Sequence, residues 1–323
     1  MTRVVAVNKT GGPDVLSIED WPVAEPGPGE ARIRQTAIGL NFIDTYQRSG
    51  LYPMPLPFVG GNEAAGVVTA IGDGVSDLKV GDRVCYQGTA GAYAEERLVP
   101  AAKLVPIPDG IDDQTAAAVL LKGLTAYYLL FKTWAVAQGE TVLWHAAAGG
   151  TGLIATQWAR ALGATVIGTA GGPEKVKLAL AHGCHHVIDY RADDFVARVK
   201  EITGGRGVDV VYDGVGKATF EGSLDCLRPR GLLASFGNAS GVVSVPDLGI
   251  LARKGSLYVT RPTGAHYFAE RADLLEGAKA LFEAILSGAI KVEIGRTFAL
   301  SDVADAHRAL EARETTGSVV LMP

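Results

Sequence analysis

At 323 residues the chain exceeds one comfortable hydrophobic core and favours two domains. With 48% hydrophobic and 20% charged residues it has the composition of an ordinary globular protein, which excludes a disordered or fibrous one. A net charge of −5 argues against nucleic acid as a main partner. The three scattered cysteines, Cys85, Cys184 and Cys226, exclude both a disulfide framework and a Cys-x-x-Cys metal knuckle.

The N-terminal run Met1–Val7 is too short for a secretory segment, and no apolar stretch reaches membrane-spanning length, so a cytoplasmic protein without membrane contact is expected. From Met1 to about Gly123, short β-like runs alternate with Gly and Pro: Ala31–Ile38, Ala65–Ile71, Arg83–Tyr86 and Glu96–Val99. Pro22, Pro26 and Pro28 mark one loop and Leu51–Pro57 another. This part reads as a mostly-β, barrel-like domain.

After Lys122 the period changes to βα alternation. Strands are expected at Thr141–Trp144, Thr165–Thr169, Val187–Asp189, Val208–Tyr212, Leu232–Phe236 and Ser256–Thr260, with helices over Gly150–Leu162, Glu174–Ala181, Asp193–Ile202 and Thr219–Leu227 between them. Six such strands imply an α/β fold with a doubly wound parallel sheet. A helix over Ala269–Ser287 and the segments Thr297–Leu300 and Val303–Ala312 follow; this tail is not nucleotide-like and is suited to completing the first domain.

The first strand runs directly into Ala146-x-x-Gly149-x-x-Gly152 and then a helical pattern. In a strand-turn-helix unit, small residues let the backbone approach a pyrophosphate, and the helix N-terminus presents free N–H groups to it. Ala148, Gly149, Gly150, Thr151 and Gly152 are therefore candidate cofactor-binding residues, with Ala146 where a first glycine is usual.

Ligands of an open α/β sheet bind beyond the strand ends. Past Thr165–Thr169, where an NAD site places an acid for the ribose hydroxyl, stand Gly171, Gly172, Pro173, Glu174 and Lys175. The missing acid and the neighbouring cations Lys175, Lys177 and Arg191 leave room and positive charge for a 2′-phosphate, favouring NADPH. A solvated helix face is the plainer account of the lysines. Tyr190 suits stacking on adenine or simple edge packing. Gly214, after the fourth strand, and Phe236, Gly237 and Ser240, after the fifth, are placed for the ribose and nicotinamide, while Asp213 equally suits a helix cap. None of the six histidines has ligand spacing. His145, at the tip of the first strand, suits orienting or packing.

At these residues the chain resembles the medium-chain dehydrogenase/reductase superfamily and, within it, the zeta-crystallin type of quinone oxidoreductase. The resemblance runs over nearly the whole chain. It is carried by Ala37–Tyr46, Leu121–Tyr128, the glycine loop and Gly255–Pro262. It implies a GroES-like domain from residues 1–124 and 263–323, a Rossmann domain over 125–262 and a substrate cleft at their junction.

Zinc-dependent members of that superfamily hold their metal through Cys, His and a further Cys or carboxylate. Here Asn41 stands at the first of those positions and Asn62 replaces the histidine in Gly61-Asn62-Glu63, so no zinc site is expected. The resemblance further implies that Asn41 and Tyr46 line the cleft near the nicotinamide, that Asp44 supports that wall, and that Thr125 touches the carboxamide. Asn41, Tyr46 and Tyr52 are candidate hydrogen-bond donors to the developing oxyanion. Tyr46 and Tyr52 equally suit half-buried packing, and Asp44 a helix cap.

The leading expectation is zinc-free, NADPH-dependent reduction of quinones by a homodimer paired through its Ser256–Thr260 edge strands. An alkenal or enone reductase on the same scaffold is the nearest alternative. A non-enzymatic crystallin-like or RNA-binding role is the remote one.

Overall fold

An eleven-residue strand, Glu30–Leu40, organises the first half of the chain. It pairs antiparallel with Glu63–Ile71, with Glu96–Pro100 and with the C-terminal strand Ser318–Met322. Arg83–Gln87 and Val105–Pro106 extend the sheet on one side, and Ile294–Ala299 extends it on the other. Ile33 points inward, and a register shift between Gln35 and Ala37 turns Ile38 to the same side, so both join Val68, Tyr86 and Leu321 in one apolar core. A small antiparallel sheet of Thr2–Val7, Leu16–Trp21 and Phe58–Val59 lies beside it.

The computed structural model describes residues 1–245 and 247–323. Two units emerge: Met1–Leu124 with Phe268–Leu286 and Val292–Pro323, and Thr125–Tyr267 with Ser287–Lys291. Residues 263–267 thus group with the second unit, as do residues 287–291. Gln157 holds the latter there, its amide bonding both backbone groups of Lys291 at 3.0 and 2.9 Å.

The second unit holds a six-stranded, all-parallel sheet in the spatial order His186–Asp189, Thr165–Ala170, Thr141–Trp144, Val208–Asp213, Leu227–Ser235, Tyr258–Thr260. Numbered along the chain this is 3-2-1-4-5-6, the doubly wound order that reverses direction beside the first strand. Helices Gly150–Ala161, Pro173–Ala181, Phe195–Ile202 and Phe220–Asp225 return the chain between strands. The strands are nearly continuous apolar runs because both faces of a parallel sheet are covered. Among the described residues, no helix is long and apolar enough to cross a membrane.

Candidate active site

The strand Thr141–Trp144 ends in a tight turn whose start, Ala146, has φ +54°, the left-handed region that favours glycine. From Gly149 the chain enters the helix Gly150–Ala161. A Cβ on Gly152 would lie 2.5 Å from the Ala146 carbonyl oxygen and 2.7 Å from that of Ala147, so the helix start packs backbone against backbone. Ala148 is buried and Gly149, Gly150 and Thr151 are half-buried. The first-turn N–H groups, which have no intrahelical acceptors, stand at this turn.

Beyond the neighbouring strand, Gly171 lies under Tyr190 and Arg191. A Cβ there would meet the Tyr190 hydroxyl at 2.5 Å and Arg191 Nε at 3.2 Å. Asp189 accepts from the Gly172 and Arg191 N–H groups, each at 3.0 Å, and these bonds hold its carboxyl below the usual range. That carboxylate is thereby turned to the loop backbone. Lys175 is half-buried on the first turn of Pro173–Ala181, beside exposed Glu174. Tyrosine and arginine thus gather at one glycine pair, with Lys175 on the helical turn that follows it.

The ends of the fourth and fifth strands meet at their glycines: a Cβ on Gly237 would lie 2.2 Å from the Gly214 carbonyl oxygen, and one on Gly214 would touch the Phe236 ring at 3.0 Å. Ser240 ties the same loops together, its hydroxyl donating to Val215 O at 2.8 Å and accepting from Ala218 N at 2.9 Å. Its hydroxyl hydrogen is therefore spent on the protein. Asp213 caps the following turn through the Val215 and Gly216 N–H groups. Arg261 bonds the carbonyls of Ser235 and Gly237, so it braces the fifth strand end. His145 is buried between the hydroxyls of Thr169, at 2.9 Å, and Ser223, at 3.0 Å, and burial lowers its pKa. It orients strand ends.

The acceptor-side candidates all lie in the first unit. Asn41 starts the helix Phe42–Ser49, and its N–H donates to Asp44 Oδ2 at 2.8 Å. Asp44 is thus a buried helix cap. Its carboxylate also accepts from Asn62 Nδ2 at 2.7 Å and from the Tyr93 hydroxyl at 3.0 Å. One turn on, Tyr46 is half-buried and meets Tyr52 edge to face at 5.2 Å between ring centroids. Asn41 Nδ2 donates to Glu63 Oε2 at 2.9 Å and to Gly39 O at 3.3 Å. Both hydrogens of that amide are engaged within the protein. Thr125, in the last turn of Asp113–Tyr127, is hydrogen-bonded to Tyr128.

Behind Asp44 a buried chain continues through Tyr93 to His307 Nε2 at 2.9 Å, from His307 Nδ1 to Arg48 at 3.0 Å, and on to Glu311 at 2.7 Å. Arginine can only donate, so Nδ1 accepts and Nε2 carries the hydrogen. From Arg48 through His307 and Tyr93 every hydrogen then points toward Asp44, while Arg48 also donates outward to Glu311. This network was missed in the sequence because its members come from distant segments.

With the geometry established, comparison with known proteins is direct. Residues 27–109 match the alcohol dehydrogenase GroES-like domain and residues 150–277 the zinc-binding dehydrogenase family. The chain is 56% identical to a quinone oxidoreductase of Pseudomonas aeruginosa, with 100% of both chains covered. The structure matches that of Escherichia coli quinone oxidoreductase complexed with NADPH at a TM-score of 0.98 and 51% identity, covering 99% of this chain and 100% of that one. The chain belongs to the quinone oxidoreductase family. It is also 50% identical to a 2-haloacrylate reductase of a Burkholderia species, over 100% of this chain and 99% of that one.

In this quinone oxidoreductase-family chain, no group of three His, Cys, Asp or Glu side chains converges as a metal site among the described residues. The amides at the two expected ligand positions are engaged instead. Asn62 gives its hydrogens to Asp44 and to Gln47, at 2.7 Å each, as Asn41 gives its own to Glu63 and Gly39.

The buried network has a measurable pH signature. Burial raises Asp44 from 3.8 to about 6, against the hydrogen bonds from Asn62, Asn41 and Tyr93. Burial and the Arg48 charge lower His307 from 6.5 to about 3. As pH falls below 6.5 the unfolded chain protonates its histidine while the native chain does not, which favours unfolding. Below about 6 native Asp44 takes a proton that unfolded aspartate takes only near 3.8, which favours folding. The two effects cancel over much of that window. His307→Gln removes the first effect alone, so between pH 7 and pH 5 the variant should gain about 2 kcal/mol relative to wild type. Urea unfolding at both pH values measures this, and an unchanged difference would refute it.

Proposed function

We propose that this protein reduces quinones with NADPH and without zinc. The observation that carries the reading is the backbone-tight glycine turn before Gly150–Ala161, in a full-length relative of quinone oxidoreductases whose expected metal-ligand positions hold engaged amides. We assign the dinucleotide to the Rossmann region 125–262 and the acceptor to the GroES-like region, residues 1–124 with 263–323.

When bound, the cofactor supplies a hydride; the protein binds, orients and excludes water. Ala148, Gly149, Gly150, Thr151 and Gly152 receive the pyrophosphate, the close packing at Gly152 leaving the N–H groups accessible. Gly171, Tyr190 and Lys175, joined by Arg191, receive the adenosine end and its 2′-phosphate. Gly214, Phe236 and Gly237, braced by Ser240, flank the ribose and nicotinamide, and Thr125 the carboxamide. On the acceptor side Tyr46 and Tyr52 supply hydroxyls, while Asn41 and Asp44 set the position of the helix that carries Tyr46.

The relative that reduces 2-haloacrylate supports a second reading, reduction of a conjugated carbon–carbon double bond. One experiment separates the two: NADPH and NADH are each supplied with a panel of quinones and of α,β-unsaturated carbonyls and 2-haloacrylate, and products are identified. Quinol formation with NADPH supports the first reading. Saturated products alone, or equal use of NADH, defeat it.

The reading includes a homodimer. Among the described residues the edge strand Tyr258–Thr260 pairs on one side only, with Leu227–Ser235, and Tyr258 is 60% exposed. Pairing with a second copy satisfies that edge. Sedimentation equilibrium at micromolar concentration should give twice the chain mass, and a monomer would refute it.

A further inference from the structure

The buried pair of Lys122 and Glu63 has a place in the proposed chemistry that the preceding roles leave open. Glu63 is fully buried at the start of its strand, and Lys122, on the helix Asp113–Tyr127, is 5% exposed. Lys122 Nζ lies 3.0 Å from Glu63 Oε2, the same oxygen that accepts from Asn41 Nδ2 at 2.9 Å. The other carboxylate oxygen accepts the Leu121 N–H at 2.5 Å. Gly39 makes room for this arrangement, since a Cβ there would lie 2.4 Å from Glu63 Oε2.

The ammonium therefore stands beside Asn41, the residue at the first expected ligand position and at the head of the helix that carries Tyr46. An ammonium has three hydrogens, and among the described residues Glu63 is its hydrogen-bond partner, so two remain for a ligand. A reductase needs positive charge and a proton where hydride transfer creates an oxyanion.

We propose that Lys122 is a catalytic residue that stabilises and protonates the reduced acceptor's oxygen, with Glu63 as its positioning residue. The proposal rests on the quinone-reductase reading. The acceptor gains a hydride with its electron pair from the reduced dinucleotide. One N–H bond of Lys122 then breaks as an O–H bond forms on the acceptor, and the neutral amine takes a proton back from water. Free alkylammonium and phenol groups ionise in the same range, so such a transfer is nearly balanced in energy.

Quinone turnover by the wild-type protein with NADPH is measured first; its absence overturns the reading and the inference together. With turnover present, Lys122→Met should lower kcat by about 100-fold while leaving the Kd for NADPH unchanged. Ethylamine added to Lys122→Ala should restore part of the rate. A readout apart from turnover uses 4-nitrophenol as a stand-in for the reduced acceptor, bound to the full chain with NADP⁺. Its yellow phenolate should form at lower pH in wild type than in Lys122→Met.

Among the described residues, Glu63 pairs with Lys122, and Asp44 also interacts with its charge. Losing Lys122 alone strands the Glu63 charge, so the double variant Glu63→Gln/Lys122→Met, which removes both charges, is measured in parallel. If its kcat or its 4-nitrophenol titration matches wild type, the inference fails while the quinone-reductase reading stands.

Discussion

Gly152→Val is expected to weaken NADPH binding by more than about 100-fold and to lower unfolding stability by about 1–3 kcal/mol. The Cβ alone would lie 2.5 Å from the Ala146 carbonyl oxygen, 2.7 Å from that of Ala147 and 2.8 Å from the Ala147 carbonyl carbon. All three are backbone atoms of the turn, so no side chain can swing aside to relieve the contact. The turn must open or the helix must withdraw, and either movement carries the first-turn N–H groups away from the pyrophosphate. Gly149→Ala is the graded control, because its Cβ meets the Ala146 carbonyl oxygen alone, at 3.2 Å. Isothermal titration with NADPH and urea unfolding of both variants measure the effect. Equal affinities in Gly152→Val and wild type would remove this turn from the binding site.

Glu63→Ala should be the most destabilising single change on the acceptor side, by about 3–5 kcal/mol, because it leaves one partner of a buried ion pair uncompensated. Three donors lose their acceptor together: Lys122 Nζ, Asn41 Nδ2 and the Leu121 N–H. Rehydration recovers little of that loss, since Glu63 is fully buried and Lys122 and Asn41 are almost so. The contrast is Arg308, whose partners Asp14 and Asp305 are exposed surface acids and whose replacement by alanine should change stability by less than about 1 kcal/mol. Denaturant midpoints measured for both variants decide the matter. A Glu63→Ala loss no larger than that of Arg308→Ala would show that the ion pair is already hydrated in solution.

Legibility along the chain followed the pattern of burial. The first, second and fourth strands of the second unit lie within a residue of their expected bounds because parallel strands buried on both faces are short apolar runs, whereas the fifth begins at Leu227, five residues before its expected start. The helix Asp113–Tyr127 was not read as one, since Ala116–Leu120 and Lys122–Leu124 are all buried and no polar face sets its period. The strand Ser318–Met322 was missed for a related reason: four of its five residues are buried, so it shows no alternation. Thr2–Val7 likewise ends in a continuous apolar run, Val4–Val7, with Arg3 as the single exposed residue of the strand.

The candidate site divides the same way. The glycine turn, the absent acid after the second strand and the two asparagines at expected ligand positions are local facts, decided by residue type and spacing, and the sequence alone determined them. Which groups those residues engage is a property of the tertiary structure. Asn41 reads as a candidate donor and Asn62 only as a replaced metal ligand; that Glu63, Asp44 and Gln47, brought from other elements, take their amide hydrogens is visible only in the fold. The chain from Asp44 through Tyr93, His307 and Arg48 to Glu311 joins residues up to 263 positions apart. A hydrogen bond acts over about 3 Å and depends on direction, so no pattern along the chain can announce a partner that only folding delivers.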